Sequence, residues 1–161
     1  MKNTILLSFL MFSCAGFTDE KHYYVDPRLR IFVDEFYAQA SKRNVPIIYS
    51  DYLAIQIASL KYKNKGDFDA HGLTQYDIHT IIIDESFFNS SIGHPWNDSF
   101  DTLQIEYTVF HEMGHFFLHR GHTPDDDHSI MNAHEYYMSD FESDSIKREN
   151  LINELFINSN L

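Results

Sequence analysis

The sequence has little cysteine and little positive charge, and each shortage excludes a class of protein. Its 161 residues include one cysteine, Cys14, so no disulfide can form within the chain. Lysine and arginine total 12 against 24 acidic residues, which gives a formal net charge of −12. Binding to nucleic acid requires a basic face, and because none is visible we expect no nucleic-acid partner. The chain is instead 43% hydrophobic and 16% aromatic, which is enough for one domain with its own core.

Long hydrophobic runs are also scarce. One apolar run, Ile5 to Phe12, is too short to span a bilayer as a helix and is typical of a secretory signal. Cys14 stands at the end of this run, a placement that resembles a bacterial lipoprotein signal, in which the cysteine becomes the lipidated first residue. Ordinary signal cleavage near Gly16 is the alternative.

These features predict three parts of the chain. Residues 1–14 form the signal, residues 15–26 form a flexible tether, and residues 27–161 form one domain. We expect export to the bacterial cell envelope, either as a lipoprotein held at the membrane through Cys14 or as a secreted protein. We also expect a monomer.

Hydrophobic periodicity predicts a few helices and strands in that domain. Apolar residues at three- and four-residue spacing indicate helices, and runs of β-branched residues indicate strands. The predicted helices span residues 27–42, 99–119 and 142–156. The predicted strands span residues 45–49 and 78–84, with 51–59 as a strand or helix and 62–72 as a loop or hairpin.

The stretch HEMGHFFLHRGH, residues 111–122, concentrates the chemistry of the chain. His111 and His115 are four residues apart, a spacing that puts two imidazoles on one face of a helix, where they can bind one metal ion. Glu112 lies next to the first of them and can act on water without being a ligand. This is the HExxH arrangement, in which zinc and a carboxylate base together activate water.

A catalytic zinc usually has a third protein ligand besides water. His122 is the leading candidate, because Gly121 before it can adopt φ > 0 and turn the chain back toward the metal. His119 continues the helical face but lies two turns from His111, so zinc between them would crowd His115. A later acid, Glu135 or Glu142, is the remaining alternative.

The motif resembles the zinc helix of the zincin metallopeptidases, in particular the metzincins, which read HExxHxxGxxH. Leu118 occupies the glycine position of that family and Gly121 the position of its third histidine, so the present chain is one residue longer. It is more similar to secreted bacterial metallopeptidase-like lipoproteins that read HELGH, four or five residues, then R-x-H. Arg120 and His122 match that ending.

A second element strengthens the resemblance. Ser129-Ile130-Met131-Asn132 is similar to the Met-turn, whose methionine forms an apolar floor beneath the zinc ligands in that family. The resemblance implies a single α+β, zincin-like domain with a small mixed sheet, a central zinc-binding helix and a C-terminal helix. It also implies that a strand shortly before the zinc helix is the exposed sheet edge that pairs with substrate. By position that strand is Ile78 to Asp84, which is an ordinary core strand in the alternative interpretation.

Together these observations predict a zinc-dependent metallopeptidase that acts on proteins or peptides. His111, His115 and His122 are the expected zinc ligands, Glu112 is the general base, and Met131 supports the site. A non-enzymatic zinc-binding lipoprotein, serving as a scaffold or metal-binding module, is the alternative from another class. The acidic run Asp125 to Asp127 is expected to be a solvated loop in preference to a calcium site.

Overall fold

The computed structural model describes residues 23–48, 50–60, 71–88, 99–124, 128–133, 140–141 and 144–157. In chain order, the strands and helices of these residues are β1 (Tyr24–Val25), α1 (Arg30–Lys42), β2 (Ala54–Ala58), β3 (Gly72–Gln75), β4 (Thr80–Asp84), a 3-10 turn (Glu85–Phe87), α2 (Ser99–Leu118) and α3 (Ser145–Ile157). None of the helices in this part of the chain is both long enough and apolar enough to cross a membrane. The expected signal and Cys14, the expected lipidation site, lie outside the described residues.

The four strands form one small mixed sheet in the order β1-β2-β4-β3. β1 pairs in parallel with β2, and β2 in parallel with β4, whereas β3 pairs antiparallel to β4. A small mixed sheet with helices that are separate in sequence from most of its strands confirms the α+β class.

β4 is an interior strand of this sheet, so the expectation that residues 78–84 form the exposed edge is wrong. Ile81 and Ile83 are fully buried, and β4 has a hydrogen-bonded neighbour on each side. A run of β-branched residues is typical of a strand covered on both faces, which explains the observed position. Among the described strands, the edge on this side of the sheet is β3, in a stretch for which the sequence predicted no strand.

The three helices pack around one hydrophobic core, in which Phe36 of α1 contacts both of the other helices. Its ring meets Phe110 of α2 edge-on at a centroid distance of 5.3 Å and lies 5.1 Å from the ring of Phe156 in α3. The apolar stripe predicted for the first helix is confirmed, since its members are buried or half-buried against this core: Leu29, Phe32, Val33, Phe36, Tyr37 and Ala40. The core therefore fixes α2, which carries the histidine motif, against both α1 and α3.

Two local predictions differ from the structure. Tyr24 and Val25, which fall within the tether predicted for residues 15–26, belong to the sheet, and the Tyr24 N–H donates to the Leu53 carbonyl at 2.9 Å. The described residues 45–48 are not a strand. Asn44 adopts φ 56° and ends α1, and the Val45 N–H donates to the Ala40 carbonyl at 3.0 Å, so this group caps the helix and does not join the sheet.

Candidate metal centre

Helix α2 places two imidazoles beside each other on one of its faces. The rings of His111 and His115 lie 4.7 Å apart between centroids and are nearly perpendicular, at 87°. His111 is 6% exposed and His115 is half-buried. The four-residue spacing read from the sequence therefore produces the expected pair, with one ring deep in the protein and the other nearer to its surface.

The chain reverses directly after α2, and His119 makes this turn. His119 adopts φ 51°, in the left-handed region, and the Arg120 N–H bonds back to the Gly114 carbonyl at 3.3 Å. Gly121, which the sequence predicted to make the turn, has its φ outside that region. Histidine adopts the left-handed conformation more readily than branched residues do. Because the turn is made at His119, α2 ends at Leu118, one residue earlier than predicted. His122 then follows on a segment that runs back along the helix.

The reversal brings His122 to the other two histidines. The three Nε2 atoms lie 3.1 Å (His111–His115), 3.2 Å (His115–His122) and 3.3 Å (His111–His122) apart. A tetrahedral ion with Zn–N bonds of about 2.0–2.1 Å separates its nitrogen ligands by about 3.3–3.4 Å. The three ring nitrogens thus lie within metal-binding distance of one another, and their spacing fits one ion.

The outer ring nitrogens of two of these histidines are already occupied by backbone carbonyls. Nδ1 of His111 lies 2.7 Å from the Ile130 oxygen, and Nδ1 of His115 lies 2.6 Å from the Arg120 oxygen. A carbonyl can only accept, so each Nδ1 carries the proton and each neutral ring turns an Nε2 lone pair toward the other. Facing lone pairs repel unless a cation lies between them, and this tautomer is the one that metal-ligating histidines adopt.

Burial keeps these rings neutral. Desolvation, reinforced by the neighbouring His115, lowers the pKa of His111 to about 3. Desolvation also lowers the pKa of His115, against the opposing effect of its hydrogen bond to the Arg120 carbonyl. Because a metal binds the neutral imidazole, the protein environment favours the form that coordinates.

The turn formed by Ser129, Ile130, Met131 and Asn132 packs against this part of α2. A Cβ atom built on Gly114 would come within 2.6 Å of the Met131 sulfur, so the missing side chain of Gly114 makes room for the methionine. Met131 is fully buried, and its backbone oxygen accepts a hydrogen bond from the Thr123 N–H at 3.0 Å. The turn therefore contacts the helix next to His115, supplies the Ile130 carbonyl to His111, and holds the segment that follows His122.

One carboxylate connects the two loops that orient the ligands. Glu154 of α3 accepts hydrogen bonds from Arg120 Nη2 at 2.5 Å and from Ser129 Oγ at 2.6 Å. Arg120 is 7% exposed, and its Nη1 also donates to the Glu154 and Leu155 carbonyls at 3.1 Å, near the end of α3. Since the Arg120 and Ile130 carbonyls orient His115 and His111, Glu154 fixes the surroundings of both rings.

Replacement of Glu154 by glutamine is expected to lower the free energy of unfolding of the metal-free protein by about 1–3 kcal/mol, because Arg120 stays buried without its charged acceptor. The matched control is Glu149→Gln on the same helix. Glu149 pairs with Lys42 and Arg43, but its side chain is 40% exposed, so we expect a loss of no more than about 1 kcal/mol. Urea denaturation compares the two variants, and equal losses would contradict the connecting role of Glu154.

Glu112 is buried against the edge strand β3. It is 5% exposed, and its Oε2 accepts a hydrogen bond from the Thr74 hydroxyl at 2.6 Å. A Cβ atom built on Gly72 would lie 2.6 Å from Glu112 Oε1, so only glycine fits there without displacing the carboxylate. Glu112 is therefore a buried carboxylate with a defined hydrogen-bond donor, and it follows His111 directly on α2.

Several of these residues were not predicted from the sequence, and the weaker of the two histidine candidates for third ligand lies outside the cluster. Gly72, Thr74 and Glu154 carried no local signal, because each acts across the fold from a different element. His119 is not one of the three clustered histidines, and it lines a separate pocket. The alternative third ligands Glu135 and Glu142, and the acidic run Asp125 to Asp127 considered for calcium, lie outside the described residues.

No family model, no curated protein and no solved structure matches this chain. The chemistry of the centre therefore has to be inferred from its own residues.

Proposed function

We propose that this protein is a zinc-dependent metallopeptidase, with His111, His115 and His122 as zinc ligands. The convergence of three Nε2 atoms at 3.1–3.3 Å is the observation that carries the proposal. Imidazole also suits copper, iron and nickel, but the spacing is close to that of a tetrahedral zinc site. Three protein ligands leave a fourth position open, which is typical of catalytic zinc and not of structural zinc.

A zinc ion held by His111, His115 and His122 would supply a Lewis acid for the scissile carbonyl and would make a nearby water more acidic. Glu112 takes the proton from water as general base and passes it to the leaving amine as general acid. The Thr74 hydroxyl holds the carboxylate in place through its 2.6 Å hydrogen bond. The Ile130 and Arg120 carbonyls hold the rings of His111 and His115, respectively, in the coordinating tautomer.

The edge strand β3 offers a backbone on which an extended substrate can lie. His71, just before β3, and Asp84, the last residue of β4, form a hydrogen-bonded pair, since the Asp84 N–H donates to the His71 oxygen at 2.8 Å. Such pairs alternate along an antiparallel ladder, so the backbone groups of Gly72 and Thr74 point away from β4. These are the two residues that contact Glu112. A peptide paired with this edge would therefore pass alongside the proposed base.

Loss of the Thr74 hydroxyl tests how strongly the position of Glu112 matters. Thr74→Val keeps the shape but removes the hydrogen bond, and we expect kcat for peptide hydrolysis to fall by about 10-fold or more, the effect of about 1.4 kcal/mol on a barrier. Thr74→Ser keeps the hydroxyl and is the matched control, with activity close to that of the wild type. A valine variant that hydrolyses peptides as fast as the serine variant would show that Thr74 does not position the base.

The proposal is tested by incubating the purified protein with a mixture of unstructured peptides and following the products by mass spectrometry. We expect new peptide termini in the presence of zinc and none after treatment with a chelator. The alternative, a zinc-binding protein without enzymatic activity, predicts tight zinc binding and no products under either condition. The buried Glu112 favours the enzyme, because a structural zinc site has no use for a carboxylate base.

A further inference from the structure

A pocket of about 430 Å³ opens beside the end of α2, outside the histidine cluster. Its walls come from three segments: Ile48 follows α1, Tyr76 and His79 belong to the turn between β3 and β4, and Phe116 and His119 end α2. No carboxylate, lysine or arginine is among the described residues that line it. A lysine or arginine side chain would find no carboxylate among these residues, whereas an apolar side chain would be covered by aromatic and aliphatic groups.

Apolar side chains are unusually exposed around this pocket. Ile48 is 87% exposed and Tyr76 is 51% exposed, and Ile78, in the same turn as His79, is 59% exposed. Exposed hydrophobic residues scattered singly need no explanation, but a group of them around one concave opening is typical of a binding site. His79 and His119 both adopt left-handed backbone conformations, at φ 50° and 51°, so two unusual turns shape the wall.

The pocket is connected to the proposed catalytic centre through Tyr76. The Tyr76 hydroxyl donates to the backbone oxygen of His115 at 2.8 Å, and its ring stacks on Phe116 at a centroid distance of 6.1 Å. A residue in the wall of the pocket is therefore hydrogen-bonded to the backbone of a proposed metal ligand.

The distance from Glu112 to the pocket can be estimated along two segments, the chain after Thr74 and helix α2, and the two estimates agree. Thr74 lies in β3 and Tyr76 lies two residues later, at the start of the turn that follows the strand, so their Cα atoms are at most about 7 Å apart. Along α2, Glu112 and Phe116 are four residues apart, which is about 6 Å in a helix. An extended peptide spans that distance with two residues.

We propose that this pocket receives a large apolar or aromatic side chain of the peptide substrate, two or three residues before the bond that is cleaved. The proposal rests on the proposed peptidase function. β3 runs from Gly72 toward Tyr76, and a substrate that pairs antiparallel with it, the more stable arrangement, places its N-terminal part at the Tyr76 end. The pocket is therefore a subsite on the N-terminal side of the cleaved bond.

The test uses alanine-rich peptides that differ only at the second and third residues before the cleaved bond. Phenylalanine or leucine at one of these positions is expected to raise kcat/KM at least about 10-fold over alanine, and lysine is not. Ile48→Glu adds a carboxylate to the wall and is expected to shift the ratio of kcat/KM for the lysine and phenylalanine peptides about 10-fold toward lysine. Ile146→Glu on α3, where Ile146 is 71% exposed, adds the same charge away from the pocket and is expected to leave the ratio unchanged.

Failure of this proposal and failure of the peptidase proposal give different results. Zinc-dependent hydrolysis with no preference at either position would overturn the subsite and leave the peptidase intact. If no peptide is hydrolysed, the pocket is tested by titrating the ¹⁵N-labelled protein with N-acetyl-phenylalanine amide or N-acetyl-alanine amide. We expect the phenylalanine probe alone to shift the amide signals of Tyr76 and His119. Equal effects of the two probes, or none, would overturn the pocket proposal.

Discussion

Glu112→Gln is expected to lower kcat for peptide hydrolysis by about 10²–10⁴-fold while the protein still binds one zinc ion. Glutamine keeps the size of the side chain and can still accept a hydrogen bond from Thr74, so the contact with β3 is maintained. It cannot take a proton from water. The measurement compares kcat and zinc content of the variant with those of the wild type, both prepared with saturating zinc.

Glu106→Gln is a suitable control for this variant, because it removes a buried carboxylate from the same helix. Glu106 is 6% exposed and pairs with Arg148 of α3, away from the histidine cluster. We expect Glu106→Gln to change stability without a comparable loss of kcat. Hydrolysis by Glu112→Gln at the rate of the wild type would show that another group is the base, and the mechanism proposed here would be wrong.

His122→Ala is expected to weaken zinc binding by at least about 100-fold. Changes to residues that only orient ligands cost about 10–100-fold in metal affinity, and removal of a ligand costs more. His122 is exposed, so its replacement removes a metal contact while leaving the core intact. Competition with a chromophoric chelator measures the affinity, and thermal unfolding of the metal-free variant checks that the fold is unchanged.

His119→Ala serves as the control for zinc binding. His119 is three residues from His122 but belongs to the pocket and not to the three clustered histidines. We expect its replacement to leave zinc affinity within about 3-fold of the wild type, well below the smallest effect expected of an orienting residue. Tight zinc binding by His122→Ala would instead favour a third ligand from the later acids, Glu135 or Glu142.

The local part of the centre could be predicted from the sequence, because helical spacing is a local property. The four-residue separation of His111 and His115 fixes the relation of their side chains once α2 forms. His122, predicted from its offset after the helix, joins the cluster of histidine rings, and Met131 packs on Gly114, whereas their predicted roles at a zinc ion stay predictions. The turn between α2 and His122 was predicted at Gly121, because glycine is the usual residue for φ > 0. In the structure His119 makes this turn.

The non-local part could not be predicted, because it depends on which elements meet. Gly72 and Thr74 reach Glu112 only because β3 is added to the edge of the sheet beside α2. The interior position of β4 follows from its pairing with β2, whereas position in the chain alone suggested an edge. β1, with two residues, has no periodicity to detect and is defined only by its partner strand. Such pairing is a property of the whole fold and leaves little signal in a single sequence.

The most direct test of the central claim is the dependence of peptide hydrolysis on the amount of zinc added to the metal-free protein. The three converging histidines predict that the chelator-treated protein is inactive, that activity rises in proportion to added zinc, and that it reaches its maximum at one zinc per chain. Hydrolysis that is independent of zinc, or a protein that binds one zinc through these histidines and cleaves no peptide at any ratio, would contradict the claim.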